Sequence, residues 1–553
     1  CAHVRAGGGG LTPSDVVPAR LSQAQIDELE RRLRVADVLP LTPLQQGLLF
    51  HASTAHDSDE VYAVQLAIGV AGPLDPQRLR EAVQTVVSRH PHLLARFCTE
   101  FDQPVQVIPA DPVTPWRYVE LDGVGGDVDA RVDKLCAEER AAVCTLGEGP
   151  VFRVAVIRTA PDHYRFVLTN HHIVLDGWSV PVLLQEIFAG YYGQRLPAPV
   201  PYRRFVSWLA ERDLAAARAA WGQVLAGFDT PTLVGPPGRV GGESKGVESF
   251  RVPAQTMRAL SALARSQHTT VNTVLQAGWA QLLVWLTGQH DVVFGAAVSG
   301  RPAELPGAES MAGLMLNTVP VRVTLNAATT TAELLAQLHS AHTQTLEHQH
   351  VALSEIHHLT GHDQLFDTLF VYENYPIDPA ALSGVDGLAI TEIASREHNH
   401  YPLSVAAVPG AELELRVQYD TDVFDAASIQ VLIGRLQQLL MGVAADPTRR
   451  LSSIDVLDAG EHARLDSWGN RAVLTEPAPT PVSIPEVFAA QVARVPEAVA
   501  LTFEGRSMTY RELEEAANRL AHLLVARWVG PGASVGLLME RSEQAIVAML
   551  GVL

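Results

Sequence analysis

The stretch His171-His172-Ile173-Val174-Leu175-Asp176-Gly177-Trp178-Ser179 places two imidazoles and a carboxylate on one short segment. Upstream, residues 151–157 and 164–169 are rich in β-branched and aromatic side chains. Ala160-Pro161-Asp162-His163 between them has turn composition, so the pair reads as a hairpin. Downstream, Ser179 reads as an N-cap, Pro181 falls in the first turn, and Leu183, Leu184, Ile187, Phe188 and Tyr191 recur at helical spacing. The segment is therefore expected to join a strand to a helix. Neighbouring residues of a strand face opposite ways, so one histidine is expected to be structural and the other chemical, with His172 on the face of Phe166, Leu168 and Asn170.

At 553 residues the chain suits two to four domains. Hydrophobic residues at 47% and charged residues at 18% are ordinary for a globular protein. The formal charge of -20 argues against nucleic acid or an anionic membrane as partner, since both attract basic surfaces. Cys1, Cys98, Cys136 and Cys144 show neither CxxC spacing nor disulfide-scaffold density, which fits a reducing cytoplasm. No apolar run reaches the roughly 20 residues of a membrane helix, and no signal peptide is recognisable. A start at Cys1 and a stop at Leu553 inside an amphipathic pattern are expected of a piece of a longer polypeptide.

Composition divides the chain into a linker (1–21), a first α/β lobe (22–200), a second lobe (201–456), another linker (457–482) and the start of a further domain (483–553). Glycine and proline between Ala6 and Arg20, and proline from Pro197 to Pro201, mark the first two boundaries. In the second lobe, helices are expected at 205–226, 271–288, 331–348 and 427–443. Strands are expected at 291–298, 318–325, 369–373 and 413–419.

Six motifs then converge on one family. They are Leu41-Thr42-Pro43-Leu44-Gln45-Gln46-Gly47-Leu48-Leu49-Phe50-His51, Arg89-His90-Pro91, the turn from His171 to Ser179, Val298-Ser299-Gly300-Arg301-Pro302, Gly313-Leu314-Met315-Leu316-Asn317-Thr318 and Tyr372-Glu373-Asn374-Tyr375-Pro376. In this order they resemble the core motifs of nonribosomal peptide synthetase condensation domains. The resemblance implies an α/β (α+β) fold of two chloramphenicol-acetyltransferase-like lobes in a V-shaped pseudo-dimer, with the active site in a tunnel between them. Met508-Thr509-Tyr510-Arg511-Glu512-Leu513 and Asn518-Arg519-Leu520-Ala521 are similar to the first core motif of adenylation domains. The phosphate-binding loop of that family would lie beyond Leu553, so no ATP chemistry is expected of this chain. Leu11-Thr12-Pro13-Ser14-Asp15, Ser22-Gln23-Ala24-Gln25-Ile26-Asp27 and the form of the first core motif resemble the connector and motif that follow an epimerisation domain, which implies a donor ending in a D-residue.

The implied reaction is attack of an acceptor aminoacyl amine on a donor peptidyl thioester. Upstream donor and downstream acceptor carrier proteins deliver both on phosphopantetheine arms, and no cofactor is held permanently. The resemblance assigns the central role to His172, as base or as positioner of the amine, and leaves those two open. It gives His171 and Asp176 structural roles, pairs Asp176 with Arg301, and lets Gly177 bring its N–H near the reacting carbonyl. Trp178, Ser299 and Asn374 are further candidates for lining the tunnel, with packing behind the turn the ordinary reading for Trp178. Arg89 and His90 are expected to brace the first lobe.

Other readings stand beside these. Zinc held by His171, His172 and Asp176 is disfavoured because adjacent strand residues face apart. His339 and His342 share a helix face, but two ligands are too few for zinc, so the histidines from His339 to His362 read as solvated. An epimerase would place serine before tryptophan in the turn and carry a glutamate-bearing motif that 396–400, Arg-Glu-His-Asn-His, departs from. Heterocyclisation domains replace the histidine pair by aspartates. A non-catalytic recruitment or gating domain, and a standalone acyltransferase with a soluble acceptor, are the alternatives that stay open.

Overall fold

The computed structural model describes residues 10–54, 60–121, 127–147, 149–236, 244–374, 377–378, 382–383, 387–410, 412–477 and 480–553. Residues 1–9 of the expected first linker, and Tyr375-Pro376 of the sixth motif, lie outside them. The chain divides into two compact units, Cys1–Val456 and Leu457–Leu553.

The larger unit is built on two main sheets. In the first, the strands lie in the order Ala389–Glu397, Ala63–Ala71, His163–His171, Phe152–Ala160 and Trp116–Glu120. The expected hairpin is its centre, and Asp162 turns it with φ 55°, a left-handed conformation that Asp tolerates. Two helices, Pro76–Arg89 and Ser179–Tyr191, share a core with this sheet through Leu79, Val83, Val86, Leu183, Leu184 and Ile187, set against Phe166 and Leu168. Burying each such side chain contributes roughly 1.5–3 kcal/mol. Arg89 Nε and His90 Nε2 both reach Glu186 Oε2, at 2.9 and 3.0 Å, tying the two helices together.

The second sheet has six strands in the order Asn317–Thr324, Asp291–Val298, Thr368–Tyr372, Leu403–Val408, Leu413–Asp420 and Lys245–Val252. Helices Ala254–Ser266, Val271–Thr287, Thr331–Thr345 and Ala426–Ala445 share its core. The helix expected at 205–226 is two, Arg203–Ala210 and Leu214–Val224, the second started by Asp213 accepting from the N–H groups of Ala215 and Ala216.

One strand departs from the expected division at residue 200. Ala389–Glu397 lies in sequence between two strands of the second sheet, yet it pairs antiparallel with Ala63–Ala71 and forms the edge of the first. The ladder continues beyond it, since Tyr62 N donates to His398 O at 2.8 Å and His172 N donates to Tyr62 O at 2.8 Å. A short third sheet joins Val35–Pro40, Val105–Pro109 and Arg96–Cys98.

The smaller unit contains helix Ile484–Arg494, the hairpin Val499–Phe503 with Arg506–Thr509, and helices Tyr510–Ala526 and Glu543–Val552. Ser483 with Glu486, and Thr509 with Glu512, form reciprocal caps at the first and second of these helices. Among the described residues, no helix is long and apolar enough to cross a membrane.

Candidate active site

The histidine strand ends at His171, and His172 opens a single 3-10 turn to Val174. His171 is buried, its Nδ1 accepting the N–H of Ile173 at 3.1 Å. Burial, and secondarily the neighbouring His172, push its pKa down to about 3, so it is neutral. Helix Pro43–Thr54 fixes the turn from the other side, where Gln45 Nε2 donates to Ile173 O at 2.9 Å.

Asp176 is wholly buried and saturated. Its Oδ1 accepts from Ser179 N at 2.8 Å, Ser179 Oγ at 2.7 Å and Arg301 Nη2 at 3.1 Å. Its Oδ2 accepts from Met315 N at 2.9 Å and Leu316 N at 3.3 Å. The carboxylate thus binds the turn to two segments of the second half of the unit. Gly300 makes that approach possible: at φ +60° a Cβ there would sit 1.7 Å from Met315 O. Ser179 is the first helical residue and not the N-cap, which is Trp178. Its hydroxyl is drawn away from helix capping by Asp176 and Gly313, whose carbonyl lies 2.8 Å from it.

His172 sits differently. It is 12% exposed, and its Nε2 lies 3.5 Å from Glu397 Oε1 at the end of the crossing strand. Register explains the meeting. Glu397 opposes Val64, and Val64 opposes Asn170, so these three share a sheet face, the one His172 continues two residues on. Gln418 Nε2 holds the main-chain carbonyl of Glu397 at 3.0 Å. Nδ1 of His172 is buried and, its own carbonyl aside, has no hydrogen-bond partner among the described residues. Nε2 is therefore the nitrogen offered to the cavity. Burial would lower the pKa of His172, but contact with Glu397 and the charges of Glu397 and Asp176 outweigh it and raise the value above 6.5. Burial would raise Glu397, and the same contact with His172 lowers it below 4.5.

Two cavities meet at this pair. One of about 790 Å³ is lined by Gly47, His51, Tyr62, Trp178, Tyr401 and Gln418, among others; one of about 550 Å³ is lined by Val64, Leu66, Leu168, Asn170, Ile390 and Ile393, among others. His172, Gly177, Glu373, Ser395, Glu397 and Arg416 line both. Trp178 is half-buried on the larger cavity and not in the core behind the turn, its Nε1 donating to Asn374 Oδ1 at 3.1 Å across the two halves. Ser299 and Asn374 are not among the residues lining either cavity. No group of three or more His, Cys, Asp or Glu placed to hold a metal occurs among the described residues.

Residues 35–465 match the condensation domain family. The chain belongs to that family. Condensation domains are the amide-bond-forming acyltransferases of nonribosomal peptide synthetases, and residues 488–553 match the AMP-binding enzyme family that adjoins this one. The chain is 32% identical to tyrocidine synthase 2 of Brevibacillus parabrevis over 94% of its own length and 15% of that protein. It is 32% identical to surfactin synthase subunit 3 of Bacillus subtilis (strain 168) over 94% of its length and 41% of that protein. It therefore spans less than half of either relative. The fold is that of the first condensation domain of the calcium-dependent antibiotic synthetase (TM-score 0.64, 21% identity, 77% of this chain and 100% of that one). It is also that of the starter condensation domain of rhizomide synthetase (TM-score 0.66, 18% identity, 76% and 98%).

Sequence reasoning did not assign Glu397, Tyr62, His400 or Arg416 to the condensation site. The signal was present in 396–401, where Arg-Glu-His-Asn-His-Tyr concentrates polar and aromatic groups.

Proposed function

We propose that this condensation domain joins the carbonyl of a carrier-bound donor peptidyl or aminoacyl thioester to the amine of a carrier-bound acceptor aminoacyl thioester. The observation that carries this is His172 Nε2 at the junction of the two cavities, where two tethered substrates can meet. Holding both in attack geometry supplies roughly 7–11 kcal/mol. A general base contributes about 10² to 10⁴-fold, or roughly 3–5 kcal/mol. Positioning is the larger share and His172 the smaller, with Gly177 beside the developing oxyanion and His171, Asp176 and Arg301 as the scaffold of the turn.

The arms that bring the substrates are phosphopantetheine on neighbouring carrier proteins, and the protein works in the cytoplasm with an adenylation domain adjoining it. The opening segment and first motif favour a donor whose last residue is D-configured, made by an upstream epimerisation domain. The test is an assay with two loaded carrier proteins, read by mass spectrometry of the arm-bound product. Product from the intact chain and at least about tenfold less from His172→Ala is expected. No product from the intact chain overturns the reading, and a preference for L-terminated donors removes the stereochemical part.

A further inference from the structure

Asp176 and Glu397 are both carboxylates beside the same turn, but only the first has its bonding capacity filled. The oxygens of Asp176 accept five hydrogen bonds. Those of Glu397 reach one described partner, His172 Nε2, at 3.5 Å, well beyond the roughly 2.7–2.9 Å of a tight charge-assisted bond. The Glu397 side chain is 41% exposed, and that exposure is into the cavities it lines. Its main chain, by contrast, is held by the ladder to Val64 and by Gln418. A carboxylate with a fixed backbone, an open coordination sphere and a place beside Nε2 is built to receive a cation. In the reaction proposed above, one reacting group is a cation when it arrives: an α-amino group with a pKa of about 7.7–8.0 is largely ammonium near neutrality.

We propose that Glu397 anchors the acceptor's α-ammonium at the junction of the two cavities and presents it to His172 Nε2. The proposal rests on the condensation reading and adds the residue that recognises the nucleophile. The ammonium is seated against the carboxylate, with Nε2 as its second acceptor. One proton passes from it to Nε2, and the imidazolium so formed takes over as the carboxylate's counter-ion and later releases that proton to solvent. The neutral amine forms the C–N bond to the donor carbonyl. As the C–S bond breaks, a second proton leaves the nitrogen and ends on the departing sulfur, and the third remains on the amide. Atoms and charge balance without any further reactant.

Arg416 and His398 also act on Glu397 and help keep it ionised. His51 and His400 stack 4.1 Å apart on the wall of the larger cavity, and burial holds both below the ordinary imidazole range, so they add no competing cation. Glu373 also lines both cavities, but Glu397 is the carboxylate that lies within reach of His172 Nε2.

The experiment compares two non-reactive probes, amides of aminopantetheine bearing alanine or lactate. They differ in carrying an α-ammonium or a neutral α-hydroxyl. Binding is measured by calorimetry on the full chain without donor. The wild type is expected to bind the alanine probe more tightly than the lactate probe. Glu397→Gln is expected to weaken the alanine probe about 10- to 100-fold while leaving the lactate probe within about twofold, as loss of a hydrogen bond to a charged group implies. Glu397→Asp, which keeps the charge, is expected to retain part of the preference and guards against a fold defect in the Gln variant. Equal affinity of the two probes for the wild type, or an equal loss of both in Glu397→Gln, overturns the proposal. Neither probe needs turnover, so this result is independent of whether the two-carrier assay yields product.

Discussion

The nine residues from His171 to Ser179 reach the second half of the larger unit through two charged pairs of opposite character. Asp176 with Arg301 lies in the interior, with every oxygen engaged by main chain, hydroxyl or guanidinium. His172 with Glu397 lies at a cavity wall, loose and with bonding capacity to spare. Sequence proximity therefore does not imply shared purpose. A pair whose bonds are all filled can only hold the turn in place, whereas one left partly open can exchange partners with a substrate.

The sharpest way to break this contrast is to remove one member of each pair. His172→Ala is expected to lower condensation about 10² to 10⁴-fold with little change in thermal stability. Product formation and a melting curve on the same sample check it, and a large fall in melting temperature would merge the two pairs into one class. Asp176→Ala is expected to cost about 3–5 kcal/mol of folding free energy, because it strands Arg301 as a buried unpaired cation; denaturant unfolding measures it. A stable but inactive Asp176→Asn would instead move the aspartate into the chemistry.

The next effect concerns acid. His171 and His92 are both buried with pKa values of about 3, while an unfolded histidine titrates near 6.5. Between those values the unfolded chain binds protons that the folded chain does not, so stability falls as pH drops, by up to about 1.4 kcal/mol per pH unit for each histidine. His171→Asn keeps an acceptor for the N–H of Ile173 and removes one titration. Its stability is expected to fall less steeply with acid, and an unchanged slope would show that His171 is not held neutral. His172 has the opposite sign: its raised pKa adds stability below pH 6.5 that is lost as pH rises through the folded value. The smallest effect is expected at Trp178→Phe, which removes the bond to Asn374 and costs about 0.5–1.5 kcal/mol or less, given its partial exposure.

How much of this was readable in advance depends on whether the cause is local. The hairpin, the strand Asp291–Val298 and the helix Val271–Thr287 follow from runs of β-branched and apolar residues, turn composition, capping and a glycine at the C-cap, all written in consecutive residues. The link of Asp176 to Arg301 was accessible through family resemblance, since nothing in the spacing requires it. The crossing strand was invisible because Thr391, Glu392, Ser395, Arg396 and Glu397 alternate poorly with apolar neighbours. Its strand character is supplied by a partner far away in sequence, and its polarity by the cavity it faces. Ser179 misled for a similar reason: a good capping residue was claimed by a tertiary acceptor.

That crossing strand also sets an order on synthesis. Ala63–Ala71 emerges early and pairs on one side with the histidine strand, but its other edge has no partner until Ala389–Glu397 has been made. At bacterial or eukaryotic elongation rates the interval is on the order of tens of seconds. During it the first half of the unit carries an open row of amides and carbonyls, the template on which strands of other chains can add. The edge is covered and the reaction centre completed by the same late event, so a nascent chain cannot acquire the junction of His172 and Glu397 before it has closed its sheet.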